Sequence, residues 1–143
     1  MIEAAAVLDG SDLAEGRTER LAFRVGAAEM EAFAVLSGDR NPLHLDEDFA
    51  RGRGFAGRVV YGGLILAQVS RLLGMRLPGR DGVWVSVRMD FRAPLYLDED
   101  ALLEAAVAHV SEAGRLVKIR LAVKAGDRLV ASGSAESVMG LHG

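Results

Sequence analysis

Val59-Val60-Tyr61-Gly62-Gly63-Leu64-Ile65-Leu66-Ala67-Gln68-Val69-Ser70-Arg71-Leu72-Leu73-Gly74-Met75-Arg76 is the stretch on which the fold turns. It has the length of a helix, is apolar nearly all round, and is stopped by Leu77-Pro78-Gly79. An all-round apolar helix is either a buried helix or a membrane span. Gly62, Gly63 and Gln68 interrupt its most apolar part, Val59–Val69, and Arg58 and Arg71 flank that run. The run falls short of the ~20 residues that cross a bilayer. The stretch therefore predicts a helix over 59–76, buried inside a soluble protein.

Downstream of Asp81 the apolar period changes from helical spacing to two. Val83, Val85, Val87, Met89 and Phe91 share one face of a strand, with Trp84, Ser86, Arg88, Asp90 and Arg92 on the other. Pro94 ends that strand. Leu102–Val110 is a second strand with poorer alternation. Val117, Ile119, Leu121 and Val123 against Lys118, Arg120 and Lys124 make a third, and Leu129–Val138 a fourth. Ser111–Gly114 and Ala125-Gly126-Asp127 read as hairpin turns. Upstream, Leu21, Phe23 and Val25 alternate as a short strand. A helix over Ala27–Leu36 follows, with Glu29 in its first turn and Gly38 at its left-handed end. Residues 1–19 are an arm or a weak first element, and 139–143 a tail, with His142, expected to fray. The economical arrangement is α+β: one domain over 1–143, a curved antiparallel sheet wrapped around the long central helix.

Composition narrows the chemistry. Of 143 residues, 50% are hydrophobic and 26% charged, which suits a packed domain, and the net charge of −3 argues against nucleic-acid binding. There is no cysteine, hence no disulfide and no thiol nucleophile; three histidines make a histidine-rich metal centre an unlikely reading, so no metal is expected. Glu3, Asp9 and Asp12 break up any N-terminal leader, so the expected compartment is the cytoplasm, with no membrane partner. So apolar a small domain is expected to hide surface in an oligomer.

Between the first helix and the central one lies Asp39-Arg40-Asn41-Pro42-Leu43-His44, a segment that proline prevents from continuing the helix. Asp46 then caps a short helical turn through Phe49-Ala50, and Arg51–Gly57 is a glycine-spaced loop. Acid–base chemistry near neutral pH calls for a carboxylate and an imidazole held together. On a turning loop Asp39 and His44 can face one water, and Asn41 either fixes the loop or makes the turn that Asn-Pro favours. Tyr61-Gly62-Gly63 opens the central helix, whose first amides lack intrahelical partners and so suit an anion or developing oxyanion. Ser70, two turns on, adds a hydroxyl. Each feature also has a plainer reading. Asp39 serves equally as a turn residue, His44 as a structural histidine, the glycine pair as a packing device, and Ser70 as a hydroxyl bonded one turn back. Tyr61 reads as pocket wall and Trp84 as an interface or sheet-face residue. His109 is a strand side chain, and Arg51, Arg53 and Arg58, near the site in sequence, either reach a substrate's phosphates or, the plainer reading, belong to a solvated loop.

Ser37–His44 (SGDRNPLH) with Phe49-Ala50 resembles the signature of the MaoC-like, (R)-specific enoyl-CoA hydratase family. Phe55–Gly62 (FAGRVVYG), the helix with Ser70, Leu77-Pro78-Gly79 and Phe91-Arg92-Ala93-Pro94-Leu95 are similar to its later blocks, in the same order. The likeness spans roughly 23–138. It implies a hot-dog fold, a homodimer or higher homo-oligomer whose sheets join, and reversible hydration of a trans-2-enoyl thioester to the (R)-3-hydroxyacyl thioester. Asp39 and His44 match the catalytic pair, with Asp39 as base and His44 as acid, or the reverse. Gly62 matches the glycine whose amide binds the thioester carbonyl; Ser70, Tyr61 and Asn41 complete the expected substrate-binding set. No metal or redox cofactor is implied, and the acyl carrier is coenzyme A or an acyl carrier protein. Two departures stand out: Tyr61 replaces the family's usual histidine, and Leu97-Asp98-Glu99-Asp100 lacks its glycine–aspartate turn. The competing functions are a hot-dog thioesterase and a non-catalytic acyl-thioester-binding subunit. The first commonly places a carboxylate on or near the central helix, and there is no Asp or Glu between Ala50 and Arg80.

Overall fold

A computed structural model of the chain describes residues 2–140; His142 and the end of the expected tail lie outside the described residues. Five strands, β1 (Thr18–Phe23), β2 (Gly82–Phe91), β3 (Ala101–Val110), β4 (Leu116–Ala125) and β5 (Arg128–Met139), form one sheet in the order β1-β3-β4-β5-β2. Every pairing is antiparallel. Helices α1 (Ala27–Ser37), α2 (Pro42–Leu45), α3 (Glu47–Gly52) and α4 (Gly62–Met75) complete the α+β domain.

The core lies between the sheet and α4. Leu103, Ala105 and Val107 of β3 stand opposite Val123, Leu121 and Ile119 of β4, and these residues are buried with Ile65, Val69, Leu72 and Leu73 of the helix. At ~1.5–3 kcal/mol for each large side chain taken out of water, this contact is the main stabilising term for the sheet–helix sandwich. The poor alternation seen in β3 is poor only in residue type. Its burial alternates cleanly, because Ala and Leu occupy both faces.

Four expectations change. The central helix begins at Gly62, not Val59, because Val59 bridges to Tyr96 and the Val60 N–H donates to the Leu95 carbonyl (2.8 Å). Nor is that helix covered all round: Ala67, Ser70, Arg71 and Gly74 form an exposed stripe at helical spacing. The segment after Gly38 is not all loop. Pro42 sits at the first position of α2, where its missing N–H costs nothing, and the Asn41 Oδ1 caps that helix by accepting from the Leu43 N–H (3.0 Å). Finally, β2 carries a bulge between Trp84 and Ser86. The extra residue flips the face, so Trp84 pairs with Ser137 on the helix side with Val87, Met89 and Phe91, while Val83 leaves that set.

The arm is tied down before β1 begins at Thr18: the Ala6 N–H donates to the Met75 carbonyl (2.8 Å) and Val7 bridges to Gly79. Gly38 closes α1 in the left-handed region (φ 76°), as the sequence predicts. Asp98 occupies that region too (φ 61°), doing with an aspartate what the missing glycine would do.

Gly63 is the tightest of the helix-start contacts: a Cβ there would lie 2.3 Å from the Phe33 Cζ of α1. Gly63→Ala is expected to lower unfolding free energy by about 1–2 kcal/mol, since overpacking outweighs the gain in helix propensity. Urea denaturation checks this, and Phe33→Leu in the same chain is expected to recover most of the loss.

Candidate active site

The site is assembled where three short segments meet. Gly38 ends α1, and the chain turns through Asp39 into α2, which carries His44. The third segment, Val59–Tyr61, runs beside α2 before α4 starts. The Leu43 carbonyl accepts from the Val59 N–H (3.2 Å), and the Val59 carbonyl accepts from His44 Nδ1 (2.7 Å). A carbonyl only accepts, so Nδ1 carries a proton and Nε2 is the nitrogen left for proton exchange. Arg58 Nε adds a bond to the His44 carbonyl (2.9 Å). The His44 ring is thereby held by Val59, and its backbone by Arg58.

His44 and Gly62 line the same cavity, about 350 Å³, with Phe55, Ile65, Phe91 and Leu95 among its apolar walls. Gly62 is the first residue of α4, and the helix has no side-chain cap. The first amides of a helix have no intrahelical acceptor, and the Gly62 N–H has no other partner among the described residues. A Cβ at Gly62 would stand 3.0 Å from the Phe91 ring, so glycine keeps the approach to that amide narrow but open. The cavity thus combines an imidazole nitrogen, a free backbone donor and apolar walls. That set suits an apolar molecule with one polar, charge-accepting group.

Asp39 is exposed and is not among the residues that line the cavity. Its Oδ1 accepts from the Asn41 N–H (3.0 Å), which leaves the second oxygen available, and the Ser37 hydroxyl oxygen accepts from the Asp39 N–H (3.0 Å). Asn41 is occupied as the cap of α2, the plainer of its two readings.

Tyr61 is placed otherwise than expected. It is 1% exposed and does not line the cavity, so its reading as pocket wall is corrected: the ring is packed behind the site. It stacks on His44 (centroids 4.1 Å apart) and packs on Phe33 (4.6 Å), and its hydroxyl donates to the Asp39 carbonyl (2.5 Å). Burial, and secondly the charge of Asp39, raise the phenol pKa above its ordinary value, which keeps the hydroxyl a neutral donor.

Ser70 is not brought to this cavity within one chain. It lies eight residues along α4, ~12 Å at the helical rise, in a small separate hollow with Leu73, Gly74, Gly82, Trp84 and Ser137. Two turns of helix carry the hydroxyl away from Gly62. Phe91 and the Val59 carbonyl are participants that sequence reading passed over, while Arg58, placed in a solvated loop, is half-buried and bonded to the His44 carbonyl. Phe91 alone left a signal, as the last apolar residue of a strand ending before Pro94.

Among the described residues no three His, Asp or Glu side chains cluster as metal ligands, and no helix is long and apolar enough to cross a membrane.

Comparison with known proteins identifies the family and the fold. The family model described as a MaoC like domain matches residues 11–131. The chain is 34% identical over 129 residues to a 3-hydroxybutyryl-CoA dehydratase of Methylorubrum extorquens, covering 90% of this chain and 82% of that protein. It is 37% identical over 105 residues to an (R)-specific enoyl-CoA hydratase of Aeromonas caviae, covering 73% and 78%. The solved (R)-hydratase of A. caviae, described as involved in PHA biosynthesis, superposes with a TM-score of 0.85 at 33% identity, over 90% of this chain and 98% of that one. The sheet-on-helix arrangement is the hot-dog fold. By family model, identity and fold together, the chain belongs to the MaoC-like domain family.

Proposed function

We propose that the protein adds water reversibly to a trans-2-enoyl thioester, giving the (R)-3-hydroxyacyl thioester. The observation that carries the reading is the joint lining of one apolar cavity by His44 and the free N–H of Gly62. Attack of water on C3 pushes negative charge onto the thioester oxygen. The Gly62 amide at the helix N-terminus is aimed at that charge, and loss of one such preorganised donor costs about 3 kcal/mol in related chemistry. The apolar walls take the acyl chain.

In the hydration direction Asp39 takes one proton from a water shared with His44 while the oxygen bonds to C3. The electron pair of the C2–C3 double bond moves toward the thioester, and protonated His44 delivers its Nε2 proton to C2. The net change is one water added, with no change of oxidation state. Proton return from Asp39 to His44 resets the pair. Nδ1 is committed to the Val59 carbonyl, so Nε2 is the only imidazole nitrogen free for this exchange. Relatives named as 3-hydroxybutyryl-CoA dehydratase and (R)-specific enoyl-CoA hydratase support the reaction class and the acyl-CoA substrate. The central helix of the described structure carries no carboxylate, which separates this reading from a thioesterase with its acid on that helix.

The working unit is a homodimer in this reading. β2 is an edge strand of ten residues, with Val83, Val85, Val87 and Phe91 between 41% and 53% exposed. A free apolar edge is a template for a second strand, and a second copy supplies it without leaving unpaired backbone. The site of action is the cytoplasm.

Two outcomes follow. Loss of enone absorbance with crotonyl-CoA and longer trans-2-enoyl-CoAs is expected from the wild type, and Asp39→Asn and His44→Gln are each expected to lower kcat by roughly 10²–10⁴-fold. A folded wild type inert on every chain length would remove the hydratase reading. In solution, light scattering is expected to give twice the chain mass, and Val85→Lys to shift it toward the monomer.

A further inference from the structure

We infer that Tyr61 is the positioning residue of the site, holding the Asp39 carboxylate and the His44 ring in fixed relation to the Gly62 amide. The inference rests on the hydratase reading and deepens it. Three parts of the proposed site come from three segments that share no regular element: the turn after α1, the single-turn helix α2, and the start of α4. One side chain touches or adjoins all three. The Tyr61 hydroxyl holds the Asp39 carbonyl at 2.5 Å, and its ring stacks on His44 at 4.1 Å and 29°. Its own backbone is the N-cap of α4, one residue before Gly62.

Apart from an exposed ion pair from Arg40 to Glu31 of α1 (3.2 Å), which does not reach α4, the Asp39 turn otherwise has only local support. Its bonds run to Ser37 and Asn41, both within two residues, and the side chains of this turn are exposed. Such bonds shape the turn but do not locate it against α4. The Tyr61 hydroxyl bond spans 22 residues and is part-buried, so it does. Tyr61 itself has nowhere to move: it is buried, wedged between Phe33 and His44, and Phe33 in turn sits against Gly63. A rigid phenol is therefore the ruler between the water-activating pair and the carbonyl-binding amide. Shifts of about 1 Å between reacting groups cost up to 10²-fold in rate, so this spacing matters for turnover more than for substrate affinity. The structure gives Tyr61 no place in the cavity lining, so it acts through Asp39 and His44 and does not touch substrate.

Tyr61→Phe keeps the ring and its stack but removes the donor. With crotonyl-CoA, kcat is expected to fall roughly 10- to 100-fold while KM stays within about threefold. Amide exchange is expected to speed up at Arg40–His44 and to stay unchanged in β3 and β4. A variant with wild-type kcat would overturn the inference, as would a loss of activity matched by loss of folded protein or carried by KM alone. An inert wild type is a different result: it overturns the hydratase reading on which the inference rests.

Discussion

How helix α4 begins is the constraint on which the site depends. A helix start leaves its first amides without partners, and here no side chain caps them. Two glycines follow the N-cap, each for a separate steric reason: Gly62 faces the Phe91 ring and Gly63 faces Phe33. The same junction carries the Val59 carbonyl that orients His44 and the buried Tyr61 that reaches Asp39. A donor, an imidazole and a carboxylate-bearing turn are thus referred to one point of the backbone. That point is held by the packing of α4 on the sheet through Ile65, Val69, Leu72 and Leu73. Core burial at one end of the chain of contacts and the proposed proton chemistry at the other are linked through Val59, Tyr61 and Gly62.

The fold was legible wherever residue type and burial coincide. β4 alternates Val117, Ile119, Leu121 and Val123 against charged neighbours and is found so, and Gly38 ends α1 in the left-handed region. Legibility failed where they part. β3 buries alternate residues but is written in alanine and leucine on both faces. The bulge in β2 has no sequence mark, since Val83 and Val85 fit the unbroken pattern equally well, and it reverses the face of Trp84. The exposed stripe of α4 carries one charge, Arg71, and is otherwise written in the small residues Ala67, Ser70 and Gly74, which mark a solvent face weakly.

The site was half legible. Asp39, His44 and Gly62 were marked by the loop and by the helix start, and His44 and Gly62 do line one cavity. Asn41 proved to be a cap, because its side chain satisfies the Leu43 amide locally. Ser70 was placed by helical spacing and by family resemblance, and neither says which hollow a side chain enters; within one chain it enters another. Tyr61 was read as pocket wall and as a departure from its family's pattern. Its contacts reach across 22 residues in one direction and pack on a separate helix in the other, which no local motif records.

In the proposed reaction the Gly62 N–H polarises the thioester carbonyl in the same cavity as His44, and that contact can be observed without turnover. Infrared difference spectra of an enoyl-CoA labelled at the thioester carbonyl, bound to Asp39→Asn, measure it directly. The account predicts a carbonyl band shifted to lower frequency than in solution. A bound thioester whose band stays at its solution position would contradict it.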